Sequence, residues 1–169
     1  MSLPSPRSAR LRRALLGLAR LSRAERTHLA CAVLLLPSVS AGLRLLGLRR
    51  VLALTAAVPP ARPRASEDDH RAATRTAWLV EVAARCVRPR PTCLAKALVV
   101  SSLLRRRGLA AQLVVGVSKA GTRLEGHAWV ELGGAALGAD PRRGHYRELA
   151  RIPGWRPTSP TIASHERAP

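Results

Sequence analysis

Gly126-His127-Ala128-Trp129-Val130-Glu131-Leu132-Gly133-Gly134-Ala135-Ala136-Leu137-Gly138-Ala139-Asp140 is the stretch on which the reading of this 169-residue chain turns. Residues 127–132 and 135–140 each alternate, and two glycines separate them. A Gly-Gly link between alternating runs predicts a tight hairpin, because the turns that match strand twist need positive φ. The link sets the register: Leu132 opposite Ala135, Val130 opposite Leu137, Ala128 opposite Ala139, and His127 opposite Asp140. Directly opposed residues have Cβ atoms about 4.5–5.5 Å apart, so the carboxylate is expected beside the imidazole. One face then holds Ala128, Val130, Leu132, Ala135, Leu137 and Ala139, a set suited to a core. The other holds His127, Trp129 and Glu131, with Gly138 opposite Trp129 leaving room for the indole.

Upstream, Leu94, Ala97, Leu98, Ser101 and Leu104 recur at helical spacing. Gly108 closes that segment after Arg105-Arg106-Arg107, and cations in a last turn suit the helix dipole. Pro89 and Pro91 keep the helix from starting much earlier. Cys93 is therefore expected at or next to the helix N-terminus, where free N–H groups favour a thiolate. The thiolate is the attacking species. His127 would take and return the proton, and Asp140 would fix the imidazole tautomer. A lone Cys or a lone strand His is usually structural. The three together, on helix, strand and strand, are what a papain-like or transglutaminase-like cysteine enzyme needs.

The same residues carry a family likeness. Cys93-Leu94-Ala95-Lys96-Ala97-Leu98, Leu103-Leu104-Arg105-Arg106-Arg107-Gly108-Leu109, Leu113-Val114-Val115-Gly116-Val117 and His127-Ala128-Trp129-Val130-Glu131 resemble the lasso-peptide leader peptidases. These form the transglutaminase-like half of the lasso B protein. The resemblance runs from about Arg85 to Asp140 and more weakly over residues 21–54. It implies a Cys-His-Asp protease that removes the leader from a ribosomally made precursor, with Cys93, His127 and Asp140 at the matching positions. It also implies partners: the precursor peptide, a separate leader-binding recognition protein, and an ATP-dependent cyclase. Two alternatives share these residues. One is a transglutaminase-like acyl transferase, in which an amine resolves the thioester. The other is a non-catalytic basic module on membrane or nucleic acid.

Charge bears on that last alternative. The net charge is +19, of which residues 1–64 supply +11 from 12 Arg and one acid. Only Lys96 and Lys119 are lysines, and an arginine-rich, alanine-rich chain without Phe fits a GC-rich genome. Single-strand or RNA binding needs exposed aromatics, and this chain has only Trp78, Trp129, Trp155 and Tyr146. Nucleic acid is therefore not expected, while the basic N-terminal helices leave peripheral membrane contact open. Cys31, Cys86 and Cys93 have neither metal spacing nor an even count, which fits a reducing cytoplasm. Cys31 and Cys86 read as core residues. A zinc site from Cys93, His127, Asp140 and His145 lacks any paired-His motif, so no metal and no cofactor is expected.

Along the chain, residues 1–10 read as loose and 11–21 as a short basic amphipathic segment. Ser22-Arg23-Ala24-Glu25 reads as a capping box opening a helix that stops at Pro37. Its apolar run, Leu29–Leu36, is too short for a bilayer span, which needs about 20 residues. Residues 43–57 predict another helix, and Val58-Pro59-Pro60-Ala61-Arg62-Pro63 a stiff linker. Ser66 caps the next helix, with Trp78, Leu79, Val82, Ala83 and Cys86 as its buried stripe. Residues 111–117 read as a strand, 118–123 as a flexible connection, and the chain beyond Tyr146 shows little regular pattern. The expected class is α+β: N-terminal helices packed on a core of a Cys-bearing helix and a small antiparallel sheet. The expected divisions are 1–64, a basic helical region; 65–150, the peptidase core; and 151–169, a Pro-rich tail.

Overall fold

The computed structural model describes residues 21–55, 65–120, 123–138 and 143–152. Expectations for residues 1–20, the linker 58–63, Asp140 and the chain beyond 152 fall outside them. Four α-helices are described: α1 (Arg23–Leu45), α2 (Gly47–Thr55), α3 (Glu67–Cys86) and α4 (Cys93–Arg106). Four strands follow: β1 (Gln112–Ala120), β2 (Arg123–Leu132), β3 (Ala135–Ala136) and β4 (Arg147–Ile152). They form one antiparallel sheet in the order β3-β2-β1-β4. The class is α+β, as the sequence leads one to expect.

α4 is the centre of the fold. Ala95, Ala97, Leu98, Val99, Val100, Ser101, Leu103 and Leu104 are all buried, so nearly its whole circumference is covered. α1 and α3 pack on it from one direction and β2 from another. β2 meets it with Ala128, Val130 and Leu132, exposed by only 6%, 3% and 2%. That is the apolar face expected from the alternation. Leu113 and the partly buried Val115 extend it on β1. A helix enclosed in this way needs all-round apolar surface, and Leu98-Val99-Val100 with Leu103-Leu104 supplies it.

α1 begins with the expected capping box. Glu25 N–H donates to Ser22 Oγ at 3.2 Å, and Ser22 N–H donates to Glu25 Oε2 at 2.7 Å. The helix does not stop at Pro37 but runs 23 residues through it. A proline costs a helix one hydrogen bond and forces a local clash. Here the ring lies on the exposed side, while Leu36 and Val39 on the inner side are buried in the core. Burial of the inner face carries the helix past the proline. As a result α1 is long and apolar enough, by length and composition, to cross a bilayer, which overturns the expectation of a short run.

α3 carries the expected Ser66 cap, reciprocated by Asp69. Its buried stripe is rotated from expectation. Ala73, Thr76, Ala77, Leu79, Val80, Ala83 and Ala84 face inward, whereas Trp78 and Cys86 are exposed. Small side chains let α3 approach α1 and α4 closely. The bulky Trp78 stays outside, where Arg75 lies 4.2 Å over its ring. Arg75 also donates to Glu25 at 2.6 Å, tying α3 to the start of α1. Cys31, by contrast, is partly buried against the core.

The hairpin after β2 has the expected turn. Gly133 and Gly134 have φ of +57° and +84°, the pair of positive values a type I′ turn requires. Leu132 pairs with Ala135 and Glu131 with Ala136. The Leu137 N–H still donates to Val130 O at 2.8 Å. At Gly138 φ is +88°, outside the β region, and the ladder has ended. The second strand is therefore two residues long rather than six. Two further differences concern β1 and β4. β1 runs on to Ala120 and pairs with Arg123, so most of the supposed connection 118–123 is strand. Residues 147–152, expected to lack pattern, form β4 against β1, with a register shift between Val115 and Gly116.

Candidate active site

Cys93 is the first residue of α4. Thr92 caps the helix from an extended conformation, its side chain accepting from Ala95 N–H at 3.2 Å. The first N–H groups of a helix have no acceptor within it. The Cys93 sulfur is thus carried at the positive end of the central helix, in a half-buried position.

His127 lies on β2 opposite Gly116 of β1. Alternation turns its ring to the face of the sheet away from the Ala128, Val130 and Leu132 contacts, into the company of Trp129 and Glu131. The imidazole stacks on Tyr146 with ring centroids 4.9 Å apart and on Trp129 at 6.0 Å. Two aromatic neighbours restrict the plane the imidazole can adopt. α4, which begins with Cys93, packs on the other face of that strand, the face of Ala128, Val130 and Leu132, so the packing of helix on strand does not by itself bring the sulfur to the imidazole. Asp140 lies outside the described residues, and so does its expected pairing with His127.

Behind the imidazole is a polar strut. Trp129 Nε1–H donates to Glu131 Oε1 at 2.9 Å. Glu131, only 3% exposed, also accepts from Arg151 Nη1 at 2.6 Å through Oε2. The same guanidinium reaches Gln112 Oε1 at 2.9 Å and grips Glu148 through two bonds of 2.9 and 2.7 Å. Glu148 and then Glu131 hold the Arg151 charge firmly in place. A buried carboxylate is tolerated when it is paired and hydrogen-bonded, and Glu131 is both. Room for the indole comes from Gly116, not from Gly138: a Cβ on Gly116 would lie 2.9 Å from the ring. Nothing in the sequence reading singled out Arg151 or Tyr146 as neighbours of the site. The one available signal was that Tyr146 is the only tyrosine.

A second imidazole pins the opposite end of the hairpin. His70 on α3 places Nδ1 3.1 Å from Ser66 O and Nε2 3.0 Å from Leu132 O. Both contacts, that to Ser66 first, raise its pKa from the usual 6.5. Among the described residues, no group of three or more His, Cys, Asp or Glu side chains is placed to hold a metal ion.

The helix-borne cysteine and the small antiparallel sheet with its strand-borne histidine are the frame of papain-like and transglutaminase-like enzymes. The chain belongs to the transglutaminase-like superfamily, which it matches over residues 33–151. The match begins inside α1 and ends inside β4. No curated protein and no solved structure matches the chain.

Proposed function

We propose that this protein is a cysteine peptidase that removes the leader from a ribosomally synthesised lasso precursor peptide. Cys93 is the nucleophile, His127 the proton carrier and Asp140 the group that orients the imidazole. The observation that carries the reading is the placement of Cys93 as the first residue of the central helix, in a chain of the transglutaminase-like superfamily whose β2 carries His127. The motif around Cys93 and the run His127-Ala128-Trp129-Val130-Glu131 support the leader-peptidase branch by resemblance. In the reaction the thiolate attacks the carbonyl of the last leader residue. His127 passes its proton to the leaving amine of the core peptide, and water then hydrolyses the leader thioester. The Cys93 backbone N–H is a donor suited to the oxyanion.

The partners in this reading are the precursor, a separate leader-binding protein and an ATP-dependent cyclase, all in the cytoplasm. The test is reconstitution of the purified chain with precursor and leader-binding protein, followed by mass spectrometry. Leader release is expected from the wild type and is lost in Cys93→Ala and His127→Ala. Release that persists in either variant refutes the assignment. A competing amine incorporated into the leader product instead of water would identify an acyl transferase with the same nucleophile.

A further inference from the structure

The outer face of α1 is apolar and bordered by charge of one sign. Ala30, Leu34, Pro37, Ala41 and Leu45 recur at the spacing of a single helical stripe, and all five are exposed. Leu34 is 70% and Leu45 81% exposed, with Val33 beside them at 39%. On α2, Leu54 is 72% exposed. Arg23 and Arg26 stand at the start of the stripe, Arg44 at its end, and Arg49 and Arg50 on α2, every one of them exposed. The only acid in residues 21–55 is Glu25, which Arg75 engages. The inner face of α1 is committed to the fold, since Ala32, Leu36 and Val39 lie in the main core cluster. The helix cannot cross a bilayer without emptying that core.

A line of exposed leucines with arginines at both ends suits a surface that is apolar beneath and anionic above. In the interface of an anionic bilayer the leucines enter the acyl boundary and the guanidinium groups meet lipid phosphates. Soluble surfaces seldom expose such a contiguous stripe without a partner. We propose that α1 and α2 form a docking face for an anionic lipid bilayer, with α1 lying in the plane of the surface and the α+β core held above it. This inference stands apart from the peptidase reading and needs none of its residues.

The test is co-sedimentation of the full chain with vesicles of phosphatidylcholine alone or mixed with phosphatidylglycerol, at low and high salt. Binding to the anionic vesicles only, weakened by salt, is expected. The variant Leu34→Glu/Leu45→Glu should lower partitioning at least about tenfold. Its thermal midpoint should not change, because both side chains are already in water. Arg44→Gln/Arg49→Gln/Arg50→Gln should weaken binding and flatten the salt dependence. Equal binding to both vesicle types, or to neither, overturns the proposal. So does a leucine variant that binds like the wild type, which would assign the attraction to arginines elsewhere. Sedimentation equilibrium supplies a further arm. A dimer that Leu34→Glu dissolves would give this face to a second copy of the chain and end the membrane assignment. Leader release measured without vesicles reads the catalytic proposal independently.

Discussion

Replacing Gly116 by alanine tests whether the packing behind His127 controls the imidazole. Gly116 faces His127 across the β1–β2 ladder and lies at the register shift between β1 and β4. An added Cβ would sit 2.9 Å from Trp129 Cη2, 2.9 Å from Cζ3 and 3.0 Å from Arg147 O. The carbonyl belongs to the β4 backbone, whose Arg151 is clamped by Glu148 and Glu131. The indole is held by its bond to Glu131 and by the His127 ring. One of the two must move, and overpacking of this kind costs about 1–3 kcal/mol. For a chain of this size each kcal/mol lowers Tm by about 2–4 °C. The expected fall is therefore about 2–12 °C by calorimetry. Since the indole stacks on the imidazole, leader release assayed far below Tm should fall by at least about tenfold, the cost of a small misplacement of a reacting group. An unchanged Tm and an unchanged near-ultraviolet tryptophan signal would refute the packing argument. A lowered Tm with full activity would refute the link from Trp129 to His127.

Three further outcomes follow from the same contacts. Leu36→Ala, at a fully buried position of α1, should cost about 2–5 kcal/mol in urea unfolding; a loss near zero would mean that α1 is not part of the core. Glu131→Ala should cost about 1–3 kcal/mol. That is less than a fully buried ion pair would lose, because Arg151 is one-third exposed and keeps Glu148. For His70, a neutral ring has one N–H and can donate to only one of its two carbonyls, whereas the charged ring donates to both. Because its folded pKa is raised, its contribution is fully present below its unfolded value of about 6.5 and is lost as pH rises through the folded value. The stability advantage of wild type over His70→Gln should therefore shrink with rising pH in urea melts. An advantage that grows with pH contradicts the clamp.

The sequence revealed most where chemistry is local. The Gly133-Gly134 turn, the Ser22 and Ser66 caps, and the start of α4 just after Pro91 and Thr92 each follow from a few neighbouring residues, and each is found in place. The apolar face of Ala128, Val130 and Leu132 was legible because strand alternation has a strict period. The misreadings come from tertiary context. Pro37 signals a stop in isolation, but burial of Leu36 and Val39 outweighs it. In α3 the large residues suggested the buried face, whereas the close approach of α1 and α4 selected alanines and excluded Trp78. β4 was invisible because Arg147-Glu148-Leu149-Ala150-Arg151-Ile152 is an edge strand with mostly exposed side chains. Its pairing is supplied by β1 and by Arg151 reaching Gln112 and Glu131. For the candidate site, Cys93 and His127 were nameable from type and spacing. Arg151 reaches it only through a strand the pattern did not reveal, and Tyr146 stands immediately before that strand.

The most direct measurement of the central claim is capture of the leader thioester. The chain is mixed with precursor and leader-binding protein, quenched in acid during turnover, digested and mapped by mass spectrometry. The account predicts the leader acyl group on the peptide containing Cys93, released by hydroxylamine and absent from His127→Ala. Leader release at the wild-type rate by Cys93→Ala, or an adduct on Cys31 or Cys86 instead, would contradict it.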